Sequence, residues 1–175
     1  DDCQISHYDH NRVAELFREL EFSNLLERAP KTTVQIQTEL TKQDYHTINT
    51  IPAFDELLTR LSATMSFAFD LETTSLDAMS AQLVGISVSP ATGEAYYIPV
   101  GHIGFEQLEQ LPVEYVIDRL KPLLEDNTPA KLAHNGKYDM TVLAEYGITV
   151  NNLTFDTMIA AYLLSENSLG LKALT

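Results

Sequence analysis

A chain of 175 residues, 45% of them hydrophobic, with seven Gly and seven Pro, is sized for one ordinary domain with a real core and is neither disordered nor fibrous in composition. Eleven Lys and Arg against 25 Asp and Glu leave a net charge of −14; this excludes a grip on nucleic acid spread over many phosphates, though not a small phosphodiester site to which divalent cations bring the positive charge. The single cysteine, Cys3, excludes an intrachain disulfide and argues against a Cys-based zinc site, and with no basic, apolar leader and no uncharged apolar run of about 18 residues the chain reads as cytoplasmic.

Residues 1–44 read as an N-terminal helical linker segment. Asp9 or Asn11 is a possible N-cap for a helix over 13–20, Phe22, Leu25 and Leu26 extend its apolar face, and Pro30 closes it. Residues 31–49 are polar, rich in Thr and Gln, and read as connector with a possible short strand at 34–37. The main domain is set at 45–175. Its first helix is expected over 52–61, with Pro52 near the first turn and acids early.

Strands are expected over 65–72, 82–89 and 94–100, the last two joined through a turn at 90–93 as a hairpin. An amphipathic helix over 113–124 follows, with apolar Val113, Val116, Ile117, Leu120, Leu123 and Leu124. A short strand at 131–134 leads to a helix over 140–146 that ends at Gly147, a C′ position. A strand over 150–155 and a last helix over 158–164, capped by Asp156-Thr157, complete the pattern. An antiparallel meander followed by alternating helix and strand predicts an α/β fold, a mixed sheet with helices on its faces.

Within the first strand, Asp70 and Glu72 are two apart and share one face, while Phe67, Phe69 and Leu71 share the other. Two anions about 6–7 Å apart on one strand face repel unless a cation sits between them. The pair suggests a metal site, against the plainer reading of an exposed edge strand. A second constellation, Asn135-Gly136-Lys137-Tyr138-Asp139, stands at a strand-to-helix junction and lets Asn135 and Asp139 share a helical face. Its plain alternative is a helix cap at Asn135 with a solvated Asp139. Asp156 reads as an N-cap or as outer support of the site, and His102 as structural or solvated.

Taken together, Asp70-x-Glu72 and Asn135-x-x-x-Asp139 resemble the proofreading exonuclease domain of the family A DNA polymerases, within the wider superfamily of four-acid, metal-dependent exonucleases of ribonuclease H-like fold. The likeness covers nearly the whole chain: blocks 69–77, 97–102, 120–126, 135–139 and 155–158 look like that family's, in its order, and 20–28 looks like the helix that joins a 5′-nuclease part to this domain. The resemblance implies a 3′–5′ exonuclease that removes mismatched nucleotides from DNA primer ends with two divalent ions, Mg2+ or Mn2+. Asp70 would bridge both ions, Glu72 would bind the first and Asp139 the second. Thr73 and Asn135 would contact the terminal nucleotide. Leu76 would wedge against the end bases, a role weighed against that of a turn residue tucked into the core, and Tyr138 reads as packing.

The implied partners are a single-stranded 3′ end of DNA and a downstream polymerase domain in the same polypeptide, with no membrane and a monomeric state. One family element is missing: the third motif, Tyr-x-x-x-Asp, is not found, and 169–175 resembles the helix start that precedes it. These residues alone are therefore expected to be weakly active or inactive. Tyr162-x-x-x-Glu166 has similar spacing but comes too early, and the superfamily's histidine branch would need His134 with a middle acid such as Asp118. The rival functions are an inactive exonuclease-like scaffold and a related exonuclease acting on RNA.

Overall fold

The computed structural model describes residues 10–20, 22, 44–104 and 109–174. The chain divides into two compact units, 1–40 and 41–175. In the first, helix α1 spans His10–Glu19. It begins ahead of the expected 13–20, which places Asn11 inside the helix and not at its cap. Phe17 and Phe22 stack obliquely with ring centroids 6.5 Å apart. Asp9, Leu25, Leu26 and the expected strand at 34–37 lie outside the described residues.

The second unit is built on a six-stranded sheet in the order β1-β4-β3-β2-β5-β6. Strand β2, Ser66–Thr73, alternates as expected: Phe67, Phe69 and Leu71 are buried, and Ala68, Asp70 and Glu72 face the other way. Strands β3 (Leu83–Ala91) and β4 (Glu94–Pro99) complete the antiparallel meander, with Asp70 opposite Ser87 and Glu72 opposite Gly85. The hairpin is tighter than the expected turn at 90–93. Strand β3 runs on through Pro90, and only Thr92 and Gly93 form the turn, Gly93 at φ 82. Proline is tolerated there because the β3–β4 register is irregular between Val88 and Ala91, so a ladder N–H is dispensable.

Strand β1, Asp44–Thr47, corrects the reading of 31–49 as connector throughout. It pairs in parallel with β4 at the sheet edge. All four of its residues are exposed, so no apolar alternation marks it, and it is held by backbone bonds such as Ile48 N–H to the Tyr97 carbonyl at 2.8 Å. On the other side, β5 (Ala130–Ala133) runs parallel to β2, and β6 (Leu153–Asp156) runs parallel to β5. Strand β6 is shorter than the expected 150–155, and Val150 is buried in the loop before it.

Helices α2 (Ile51–Ser62) and α3 (Val113–Glu125) bury Phe54, Leu57 and Leu61, and Val116, Ile117, Leu120, Leu123 and Leu124, in one core with Phe67, Phe69, Leu71, Ile86, Val88 and Ile98. Removing this apolar surface from water is the main stabilising term of the fold. The acids of α2 come later than expected: its first turn has none, and Asp55 instead meets Arg119 of α3 at 2.5 Å. Helix α4, Gly136–Glu145, starts a turn earlier than expected and ends at Gly147, φ 75, as expected. Helices α5 (Thr157–Leu163) and α6 (Leu171–Leu174) follow. Lys131 is fully buried, its ammonium donating to the Asp126 carbonyl. Among the described residues no helix is long and apolar enough to cross a membrane.

Candidate active site

The site begins where two neighbouring strands part. Strand β5 pairs with β2 only from Ser66 to Ala68 and then turns away into α4. Further along β2, the Leu71 N–H has a side chain for partner: it donates to Asp139 Oδ1 at 3.2 Å. A buried backbone donor needs an acceptor, and the first turn of α4 supplies it. Asp139 is 2% exposed. Burial first, then the charge of Asp70, pushes its carboxyl up to about 7.

Asp70 itself is held above its usual range, by burial first and then by Glu72, with the Leu71 N–H and then His134 opposing. Among the described residues no Lys or Arg pairs with Asp70, Glu72 or Asp139. The sequence-predicted acids are thus brought to one region, the exposed side of β2 and the start of α4. They do not form a closed cage: among the described residues no three His, Cys, Asp or Glu side chains stand grouped to hold an ion. The donor chemistry nonetheless fits a hard divalent cation. The groups are carboxylate oxygens, one is buried, and their charges oppose one another with no Lys or Arg paired to them among the described residues.

Thr73, Ser75 and Tyr138 form a knot beside the acids. The Thr73 hydroxyl lies 2.5 Å from the Tyr138 hydroxyl, which donates to the Ser75 carbonyl. Tyr138 thus packs as expected, and what it holds is the end of β2 and the loop beyond it against α4. A hollow of about 340 Å³ lies here, lined by Leu71, Glu72, Thr73, Thr74, Ser75, Leu76 and Tyr138. Leu76 is 98% exposed, which excludes the alternative of a core turn residue. A larger hollow, about 830 Å³, lies between α4, β6 and α5 and is lined by Met140, Leu153, Phe155 and Ile159 among others, but by none of the three acids.

Asn135 does not cap α4 in the ordinary way, which corrects that alternative. It sits in the left-handed region, φ 61 and ψ 41, and its side chain makes no cap bond. Asp156 does the capping. Its Oδ1 accepts from Met158 N at 2.8 Å and Ile159 N at 3.3 Å, the expected N-cap of α5. The same carboxylate also accepts from Asn135 N at 3.1 Å and Gly136 N at 2.8 Å. Burial works to raise the Asp156 carboxyl, but these four backbone N–H groups hold it below its usual range.

Of the outlying candidates, His134 acts on Asp70 through its charge. His134 Nδ1 lies 2.8 Å from the Thr157 hydroxyl. Asp118 stands exposed on α3, and it is not among the charges that act on Asp70 or Asp139. Tyr162 is 69% exposed. His102 is structural, its Nε2 2.6 Å from the Tyr97 hydroxyl.

Two residues escaped the reading of the sequence, Tyr97 and Gly85. The Tyr97 ring lies across the sheet so closely that a Cβ on Gly85 would meet its hydroxyl at 2.0 Å. Gly85 is the partner of Glu72 across the ladder, and burial first, then the charge of Glu72, raises the Tyr97 phenol. The available signal was the glycine itself, since one inside a strand marks a close approach.

A family model described as 3′–5′ exonuclease, of the family A DNA polymerases, matches residues 45–175. DNA polymerase I of Chloroflexus aurantiacus is 36% identical over 206 residues, covering 98% of this chain and 21% of that protein. DNA polymerase I of Pseudomonas aeruginosa is 38% identical over 162 residues, covering 87% of this chain and 18% of that protein. The chain thus spans about a fifth of the length of these relatives. Among solved structures, Brucella melitensis NrnC with bound Mg2+ is similar with a TM-score of 0.50 and 26% identity, over 75% of this chain and 58% of that one.

Proposed function

Because this chain belongs to the 3′–5′ exonuclease family of the DNA polymerase I proteins, we propose that it hydrolyses the terminal phosphodiester of a mismatched DNA primer, as the proofreading domain of a longer polymerase. The observation that carries this reading is the buried carboxylate of Asp139 beside Asp70, with no basic partner among the described residues. A scaffold has no physical need to hold such a charge.

Asp70, Glu72 and Asp139 are the residues that would hold the divalent ions. Mg2+ or Mn2+ bound there would supply Lewis acidity, making water a nucleophile near neutral pH and neutralising charge on the departing 3′ oxygen. The chain's own part is to orient and to exclude. Asp139 is fixed by the Leu71 N–H and shielded from solvent, so its oxygens keep one direction. Thr73 and Asn135 would contact the terminal nucleotide, and the Asn135 side chain is not engaged in capping α4. Exposed Leu76 would stand against the end bases, where an apolar side chain favours an unstacked base over water.

The charge of −14 fits a domain that holds only the last unpaired nucleotides, with a polymerase part elsewhere in the polypeptide supplying most of the affinity for DNA. Residues 45–175, with the Asp44 that opens β1, would form the exonuclease domain, and the residues before them the segment leading to it.

The test is release of mononucleotides from a 3′-mismatched primer with Mg2+ or Mn2+, on the full-length polypeptide that contains this chain, with Asp70→Ala as control. Cleavage that needs the metal and is lost in Asp70→Ala is expected. No release by the unaltered protein with either metal would leave the scaffold reading in its place.

A further inference from the structure

Asp156 ends β6 beside Ala133, the last residue of β5, so its carboxylate stands where both strands give way to helices. Its oxygens accept four backbone N–H groups, two from each side. Met158 and Ile159 open α5, and Asn135 and Gly136 open α4. The α4 pair is the unusual one. Asn135 is left-handed, a conformation that Asn and Asp adopt more readily than other L-residues, and its own side chain does not cap the helix. Gly136 is packed so tightly that a Cβ would meet Ala133 and Leu153 at 2.9 Å. An anion accepting the first N–H groups of a helix also favours its dipole.

Asp139 follows Gly136 by one helical turn, and it is anchored to the sheet through the Leu71 N–H at 3.2 Å. Where α4 starts therefore decides where Asp139 and Asn135 stand relative to Asp70. We propose that Asp156 is the positioning residue of this site: by tying the β5–α4 turn to the start of α5, it sets the place of Asp139 and Asn135. The inference rests on the nuclease reading above and deepens it. The Asp156 carboxylate meets backbone amides, not the side chains of Asp70, Glu72 or Asp139. It acts through the turn.

Asp156→Ser separates the two duties, because a serine hydroxyl still caps α5 but is too short to hold the Asn135 and Gly136 amides as well. On the full-length polypeptide that contains this chain, with Asp70→Ala as the blank, Mn2+ binding is measured by calorimetry at a temperature where the variant is folded, together with amide hydrogen exchange. Expected are faster exchange at Asn135 and Gly136 and Mn2+ affinity weakened about tenfold, the lower end of what loss of outer support costs. Asp156→Asn retains one acceptor oxygen and falls between. Asp126→Ala, which removes a turn cap on Thr128 N before the other end of β5, serves as the control for lost stability alone and leaves Mn2+ affinity unchanged. If Asp156→Ser frees those amides yet binds Mn2+ within about twofold of the unaltered protein, against the loss expected of a supporting residue, or if the amides stay protected, the positioning role is overturned. If the unaltered protein binds no Mn2+, the nuclease reading itself falls.

Discussion

Replacing Asp139 by asparagine should make the metal-free protein more stable at pH 8 while removing its ability to bind metal. The carboxyl of Asp139 titrates at about 7 in the folded chain, against 3.8 for the free side chain. For an acid whose folded value is raised, the unfolded chain ionises first. Stability is therefore unaffected below about pH 4, falls as pH rises through the interval, and reaches its full loss above about 7. Three pH units at 1.36 kcal/mol each put the cost on the order of 4 kcal/mol. The amide introduced by Asp139→Asn would keep an acceptor oxygen for the Leu71 N–H and carry no charge, so the variant should lose less stability across the same range, keeping only the share that the raised Asp70 contributes. Urea unfolding with a chelator at pH 5 and pH 8 spans about two of those three pH units, so roughly 3 kcal/mol of the loss is read. Mn2+ added at pH 8 should restore the unaltered protein and leave Asp139→Asn unmoved. Equal stability of the unaltered protein at the two pH values, or a parallel fall in Asp139→Asn, would refute the account of Asp139 as an uncompensated buried acid.

Two further outcomes follow from the packing. Leu76→Ala should change stability by less than about 0.5 kcal/mol, as expected of a surface residue, because Leu76 is 98% exposed. It should slow mononucleotide release in the same assay that tests Asp70→Ala, and a marked drop in melting temperature would show that Leu76 packs after all. Gly85→Ala should destabilise by about 1–3 kcal/mol, the usual penalty of overpacking, since its Cβ would stand 2.0 Å from the Tyr97 hydroxyl. Combining it with Tyr97→Ala should restore part of that loss, and strict additivity in the double-mutant cycle would exclude the contact.

The alternation of β2 was legible at once, because Phe67, Phe69 and Leu71 face the core and Asp70 and Glu72 do not. So were the meander, the amphipathic α3, the Gly147 stop and the Asp156 cap of α5. Each is a matter of neighbours within a turn or a pleat, where side-chain period and cap chemistry act over a few residues. Strand β1 was not legible, because an exposed edge strand needs only backbone partners and leaves no apolar pattern. The true start of α4 was hidden for a different reason: its cap is carried by Asp156, 20 residues beyond Gly136.

By itself the sequence determined which side chains could do chemistry here: two acids on one strand face, and a third at a strand-to-helix junction. Only the tertiary structure decided that Asp139 closes the open edge of β2, 68 residues away at Leu71, and that Tyr97 lies over Gly85 beside Glu72. The physical reason is register. Which donor is left unpaired depends on where β5 leaves β2, and that depends on how the whole sheet is paired.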